Sequence, residues 1–459
     1  MRIFPAPLEI GDEDGFGEGK DLFQRASLGQ GLANLVGSVE DPMVLAIDGQ
    51  WGSGKTTFLK MWAGQLRQQG FPVIYFDAFE NDYSEDAFTA LAAEIIGLLD
   101  AEKKRGEPQG KAFLTKAIGA GKVLARSALK IGVKAATMGA LSGSDVEDLA
   151  DAVSDETEEF ADKYIGELLT KQSERRDTLH AFKDALRDLP GILAPASAPG
   201  EDEQQAAQKP LVFIIDELDR CRPLFALQML ERIKHFFSVK NLHFVLGTHM
   251  GQLEACVRAA YGEGIDAHLY LQKFIQITYH LPERSRRTEQ LNSAKYISSL
   301  VDRLDFPSAD RDLLSAAVGF IVSAARNQTL SFRTIERIMT SFALGLSFTK
   351  ENEYRPAPII AGLCVLRVTA PELYRRAKKG ILQFDEVDKF FDFKSVDDTD
   401  RTIFSTWSIS YWRFCTDKNA EEDLINRFSQ GLWQYNFGNR SDVVPYVANL
   451  ILDRLEAPV

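Results

Sequence analysis

The sequence predicts an α/β fold: a parallel sheet flanked by helices, with a mostly helical insertion and a helical C-terminal region. Three observations predict it. Short apolar runs at Pro42–Asp48, Pro72–Asp77, Leu211–Asp216 and Leu242–Thr248 alternate with amphipathic stretches, the rhythm of parallel strands joined by helical crossovers. That rhythm breaks across roughly residues 104–209, between the second run and the third. From Arg284 onward the apolar spacing is helical almost throughout.

Composition agrees. The chain has 459 residues, 45% hydrophobic and 26% charged, ordinary globular values that support a sizeable core and exclude global disorder, a collagen-like fibre or a disulfide scaffold. A net charge of −13 argues against a generally sticky nucleic-acid binder and leaves a local basic patch open. Cys221, Cys256, Cys364 and Cys415 lie too far apart in sequence for a CxxC pair or zinc-site spacing. The start, MRIFPAPLEIGDEDGFGEG, has no apolar core, so residues 1–20 read as a flexible leader rather than a signal peptide. The longest uncharged apolar run, Leu313–Ala325, is thirteen residues, a core-helix length. A soluble, cytoplasmic protein is the expectation.

The elements follow in order. Asp21–Val39 has apolar residues at helical spacing, and the strand Pro42–Asp48 runs directly into GQWGSGKT. Thr57–Gln68 then places Phe58, Leu59, Trp62 and Leu66 on one helical face. After the strand Pro72–Asp77 comes a helix at Ala87–Leu99. In the insertion, residues 111–143 hold Lys111, Lys116, Lys122, Arg126, Lys130 and Lys134 with no acid, while residues 144–162 hold nine acids and no base. A helix at about Glu156–Leu189 and a Pro/Ala/Gln-rich linker follow. After Leu211–Asp216 come a helix at about Leu224–Phe237, the strand Leu242–Thr248, and Tyr270–Leu281, a helix end merging into a β-rich stretch. Helices are expected at Leu291–Leu304, Asp310–Arg326, Ser331–Leu346 and Pro358–Val368.

Two motifs carry chemistry. Gly49-Gln-Trp-Gly-Ser-Gly54-Lys55-Thr56 is a complete GxxxxGK[ST] between a strand and a helix. Its glycines let backbone N–H groups turn inward on phosphate oxygens, at the positive end of a helix. Gly49, Gly52, Ser53, Gly54, Lys55, Thr56 and Thr57 are the candidate nucleotide-binding set, with Lys55 reaching the β- and γ-phosphates and Thr56 ligating Mg²⁺. The second motif is LVFIIDELDRC, an apolar strand delivering Asp216 as the partner metal ligand and Glu217 as the carboxylate that polarises an attacking water. Asp219 and Arg220 fit an exposed turn as well as a functional role.

Taken together, GQWGSGKTTFLKMW, FDAFEND, IIDELDRCRP and YLQKFIQITYHLP resemble the KAP P-loop NTPases, a group related to the STAND and AAA-like ATPases, over roughly residues 20–345 outside the insertion. The resemblance implies a P-loop core at 21–103 and 210–283, a helical insertion with linker at 104–209, a helical lid at 284–350 and a C-terminal helical region at 351–459. It implies ATP with Mg²⁺, an ATPase with Lys55 and Glu217 in the catalytic set, and Arg333 of the segment Ser331–Arg337 as a cation reaching the γ-phosphate from the lid. The chain departs from the family pattern at Asp77-Ala78-Phe79, where Asn-Ala-Trp is usual, and at Thr248-His249, where the strand often ends in Asp. Thr248 is a possible hydrogen-bond donor there. Bacterial members point to anti-phage defence, with partner proteins or a homo-oligomer.

Relatives often carry transmembrane helices where this chain has its charged insertion. Three readings are open for the cation-bearing stretch 111–143: an antiparallel hairpin with the acidic segment after it, a peripheral membrane contact on anionic lipid, or a surface for a partner protein or nucleic acid. Beside the ATPase stand two other functions, an ATP-binding scaffold or sensor with little hydrolysis, and a small-molecule kinase.

Overall fold

The computed structural model describes residues 3–6, 8–17, 19–83, 86–138, 176–193, 209–282, 292–307, 310–350, 353–393, 405–435 and 437–454, with backbone only for 124–138 and 433. Five strands, β1 (Met43–Asp48), β2 (Val73–Asp77), β3 (Leu211–Asp216), β4 (Leu242–Thr248) and β5 (Ile277–His280), form one sheet in the order β2-β3-β4-β1-β5. Every pairing is parallel. All residues of β3 and β4 are buried, as expected for central strands covered on both faces.

The two-residue period of the strands sorts the side chains into two cores. Leu45, Ile47, Val212, Ile214 and Val245 face α1 (Ala26–Ser38) and α2 (Lys55–Gln68), where they meet Leu32, Val36, Phe58, Leu59, Trp62 and Leu66. Ala46, Phe76, Phe213, Ile215, Phe244 and Leu246 face the other way, onto α3 (Ala87–Ala101) and the helices Pro223–Arg232 and Met250–Tyr261. The helix expected to Phe237 changes at Ile233 to a π turn, Ile233–Phe237.

The insertion is rooted in that second core. Its first helix, α4 (Pro108–Met138), buries Phe113, Ala117 and Ala120, and the helical residues 176–193 bury Phe182, Leu186 and Leu189 beside them. Phe182 lies 5.0 Å from Phe88 and 5.5 Å from Phe237, ring centre to ring centre. Phe113 pairs with Phe182, and Gly119 with Thr178. One number rises while the other falls, so the root is an antiparallel helix pair. The acidic stretch 144–162 lies outside the described residues, as do the side chains of Arg126, Lys130 and Lys134. Among the described residues no helix is long and apolar enough to cross a membrane.

Two packing arrangements bear on the organisation of the chain. Residues 8–17 of the leader lie along α2: Asp14 backbone passes so close to Gly64 that a Cβ there would stand 2.1 Å from the Asp14 carbonyl oxygen. Arg67 and Gln68 donate to the carbonyls of Asp12 and Glu13, and Phe16 packs 5.6 Å from Phe58. A glycine-lined groove on α2, not composition, holds the segment. Secondly, one core runs across residue 350. Ile338, Met339 and Phe342 of the helix Phe332–Ser347 pack with Ile360, Leu363 and Leu366 of Ala357–Thr369 and with Trp412, Val447 and Ile451. Ala357–Thr369 is buried on nearly every side, which makes it the central helix of the C-terminal half.

Candidate functional site

The loop between β1 and α2 is shaped by its glycines. Gly52 and Gly54 have φ of +77° and +81°, a region that other residues enter only with strain. A Cβ on Gly52 would stand 3.0 Å from Arg333 Cβ and 3.1 Å from the Arg333 nitrogen, so glycine is needed there for a second reason: the helix Phe332–Ser347 rests on the loop. Phe332 N–H donates to the Gly52 carbonyl at 2.9 Å, and Ser331 caps the same helix through Thr334 N–H at 3.2 Å.

Lys55 opens α2, is only 8% exposed, and its Nζ donates to the carbonyls of Gly49 and, at 3.2 Å, Gln50. Burial pulls its ammonium below the usual lysine range, while Asp219, Asp216 and Asp48 oppose that shift. Asp216 ends β3 at 1% exposure and accepts from Tyr75 OH at 2.7 Å, from Glu217 N–H at 2.9 Å and from the Thr56 hydroxyl. Burial pushes its carboxyl up, against these hydrogen bonds. Since β4 stands between β3 and β1, Gly247 passes directly beside Asp216: a Cβ there would lie 2.4 Å from Asp216 Oδ1 and 2.4 Å from Leu59.

Glu217 has a left-handed backbone, φ +58°, a conformation costing a non-glycine residue about 1–2 kcal/mol. Its carboxylate pairs with Arg220 at 2.7 Å. Partial burial raises the Glu217 carboxyl, Arg220 pulls it down, and Arg333 pulls in the same direction more weakly.

A cavity of about 1490 Å³ is lined by Gly52, Gly54, Lys55, Thr56, Thr57, Asp216, Glu217 and Arg333. Of the ten candidate site residues named from the sequence, these eight converge there, and Asp219 and Arg220 of the following turn join them. Gly49 and Ser53 lie beneath the loop: a Cβ on Gly49 would meet Ser53 Oγ at 2.7 Å, and the Ser53 hydroxyl is buried without a partner. Thr248 is buried at the end of β4, its hydroxyl also unpartnered. His249 accepts from Gln252 N–H at 3.1 Å and so caps the helix Met250–Tyr261.

Three contributors were missed or left open. Tyr75 holds Asp216, and the one polar ring in the apolar run PVIYFD was the available signal. Asp219, 6% exposed, accepts from Trp51 Nε1 at 2.5 Å, tying the turn after β3 to the phosphate loop. Arg220 holds Glu217. The turn Leu218–Arg220 is therefore packed into the site rather than exposed.

Thr56 and Asp216 meet across the loop as a hydroxyl and a carboxylate, the hard oxygen donors that suit Mg²⁺. Their hydrogen bond brings them to one point, so the residues fit that ion.

Residues 25–345 match the model of the KAP family P-loop domain. No curated protein matches the chain. Among solved structures, the Aeropyrum pernix ORC2 protein in its ADPNP–ADP complexes is 12% identical, with 96% of this chain and 98% of that chain covered at a TM-score of 0.35. The replication initiator DnaA bound to AMPPCP and single-stranded DNA is 11% identical, with 96% and 95% covered at a TM-score of 0.24. Scores this low add nothing to what the sheet order already shows. The family match spans both motifs and the helix that rests on the phosphate loop: this chain belongs to the KAP family of P-loop NTPases.

Proposed function

We propose that the protein is a Mg²⁺-dependent ATPase that couples ATP binding and hydrolysis to movement of its helical lid or to assembly. The observation that supports this best is the convergence of Lys55, Thr56, Asp216, Glu217 and Arg333 on one cavity. Backbone N–H groups from Gly49 to Thr57 cradle the β- and γ-phosphates, and Lys55 exchanges its loop carbonyls for phosphate oxygens. Thr56 and Asp216 hold the Mg²⁺, which when bound neutralises charge developing on the phosphates. Glu217 orients and deprotonates the attacking water. Arg333, carried by a helix bonded to Gly52, senses the γ-phosphate and transmits its loss to the lid.

Phosphate release from ATP by the purified protein, with Mg²⁺ and with excess chelator, tests this reading. Release that depends on Mg²⁺ and falls about tenfold or more in Arg333→Ala, the usual range for losing one electrostatic contact to the transition state, supports it. Release unaffected by chelator overturns the metal assignment.

The Glu217–Arg220 ion pair supports a second reading, an ATP-binding scaffold or sensor with little hydrolysis, because a carboxylate held by a cation is a weaker base. Under that reading Glu217→Gln keeps biological activity while Lys55→Ala loses it. The family resemblance supports a cytoplasmic setting in anti-phage defence, with partner proteins or further copies of the chain, and plaque counts on cells carrying wild type or Lys55→Ala test that setting.

A further inference from the structure

Beside the phosphate site lies a second, smaller cavity that the chemistry above leaves unused. Its volume is about 510 Å³, and Gln50, Trp51, Arg337 and Val368 line both it and the larger one. The two spaces therefore meet at the phosphate loop, since Gln50 and Trp51 belong to GQWGSGKT. Their linings differ in charge. Asp216, Glu217, Asp219, Asp302 and Glu336 line the larger cavity. Among the described residues no aspartate or glutamate lines the smaller one.

In place of acids the smaller cavity presents donors. The helix Met250–Tyr261, capped by His249, and the helix Phe332–Ser347, capped by Ser331, both begin at its wall, where His249, Gln252, Ser331 and Thr334 line it. Backbone N–H groups of those first turns are already taken, by Asp48, His249 and Ser331, so the side chains are the donors that count. His249 Nδ1 accepts from Gln252 N–H at 3.1 Å. A neutral imidazole then carries its proton on Nε2 and keeps that N–H to donate. Gln50 and Gln252 add amide donors.

Arg337 supplies the full charge. It stands one turn after Arg333 on the same face of its helix, and among the described residues no carboxylate is paired with it. Of the two cavities Arg333 lines the larger alone, whereas Arg337 lines both. Consecutive guanidiniums therefore lead from the phosphate site into the second space. A guanidinium, an imidazole N–H and amides, with no carboxylate to compete, suit a compact oxyanion. The adjoining site makes one when it cleaves ATP.

We propose that the cavity around Arg337 is a binding subsite for inorganic phosphate, the place that this product occupies as it leaves the phosphate loop. This rests on the hydrolytic reading above and adds the route by which the product departs. Arg337 holds the oxyanion through its planar fork, and His249 with the two glutamines completes the donor set.

Phosphorus NMR titration of the full chain with inorganic phosphate tests the site without turnover. In the Lys55→Ala chain, whose loop has lost its phosphate-binding ammonium, a saturable phosphate site should remain. Adding Arg337→Gln to that chain should weaken it by about 10–100-fold, the range for a charge-assisted hydrogen bond. Arg337→Lys, which keeps the charge without the planar fork, should fall between. During a single turnover of ATP by the otherwise wild-type chain, Arg337→Gln should lengthen the interval between bond cleavage, read by acid quench, and free phosphate, read by a fluorescent phosphate sensor. The subsite is overturned if the Lys55→Ala chain has no saturable phosphate site, or if its affinity is the same with and without Arg337. An interval equal to that of wild type overturns the exit role. Wild type that cleaves no ATP overturns the hydrolytic reading, while the titration still decides the subsite.

Discussion

At the phosphate end of the cavity the charged side chains are already answered. Lys55 bonds two loop carbonyls, Asp216 accepts from Tyr75, Thr56 and Glu217 N–H, and Glu217 pairs with Arg220. At the opposite end Arg25 is buried with an unpartnered Nε and, among the described residues, no carboxylate in ion-pair contact, beside rings that stack on one another. The first end is preorganised by the protein alone. The second keeps an open hydrogen-bonding position on a buried guanidinium. The difference is one of self-paired charge against open hydrogen-bonding capacity within one pocket.

Three substitutions break or sharpen that contrast. Lys55→Ala removes the loop's only side-chain cation and should weaken ATP by about 100-fold or more, read by titration, since it uncouples a buried charge from the phosphates. Gly247→Ala forces a methyl group into Asp216 and Leu59 and should cost about 1–3 kcal/mol of unfolding free energy in urea, the usual price of overpacking. Arg220→Gln has the smallest effect and a defined sign. Arg220 lowers the Glu217 carboxyl, so removing it lets that carboxyl rise further. The base then becomes protonated at higher pH, and the acid limb of the kcat profile should move up. A limb that stays in place or moves down would break the link between Arg220 and Glu217.

The same contrast governs what could be read from the sequence. The strands β3 and β4 were legible to the residue, Leu211–Asp216 and Leu242–Thr248, because central buried strands are unbroken apolar runs. Lys55, Thr56 and Asp216 could be named in advance because GxxxxGK[ST] and an apolar strand ending in Asp each lie on one short segment. Arg333 came only through family resemblance. Arg25 was not legible at all: it converges with Phe332 on Gly54 across about three hundred residues of chain. Arg220 was visible as a residue but not as a partner, since a charged turn reads alike whether it faces solvent or Glu217. The contact of Asp14 with Gly64 left no trace in the composition of the leader.

The central claim is that this site hydrolyses ATP through Glu217. The most direct measurement is single-turnover hydrolysis of ATP by wild type and Glu217→Gln, with ATP affinity measured on both proteins. The account predicts a rate about 100-fold or more lower in the variant, the scale of general-base catalysis, with affinity within about threefold of wild type because Glu217 is not placed on the phosphates or the metal. Equal rates in the two proteins would contradict it.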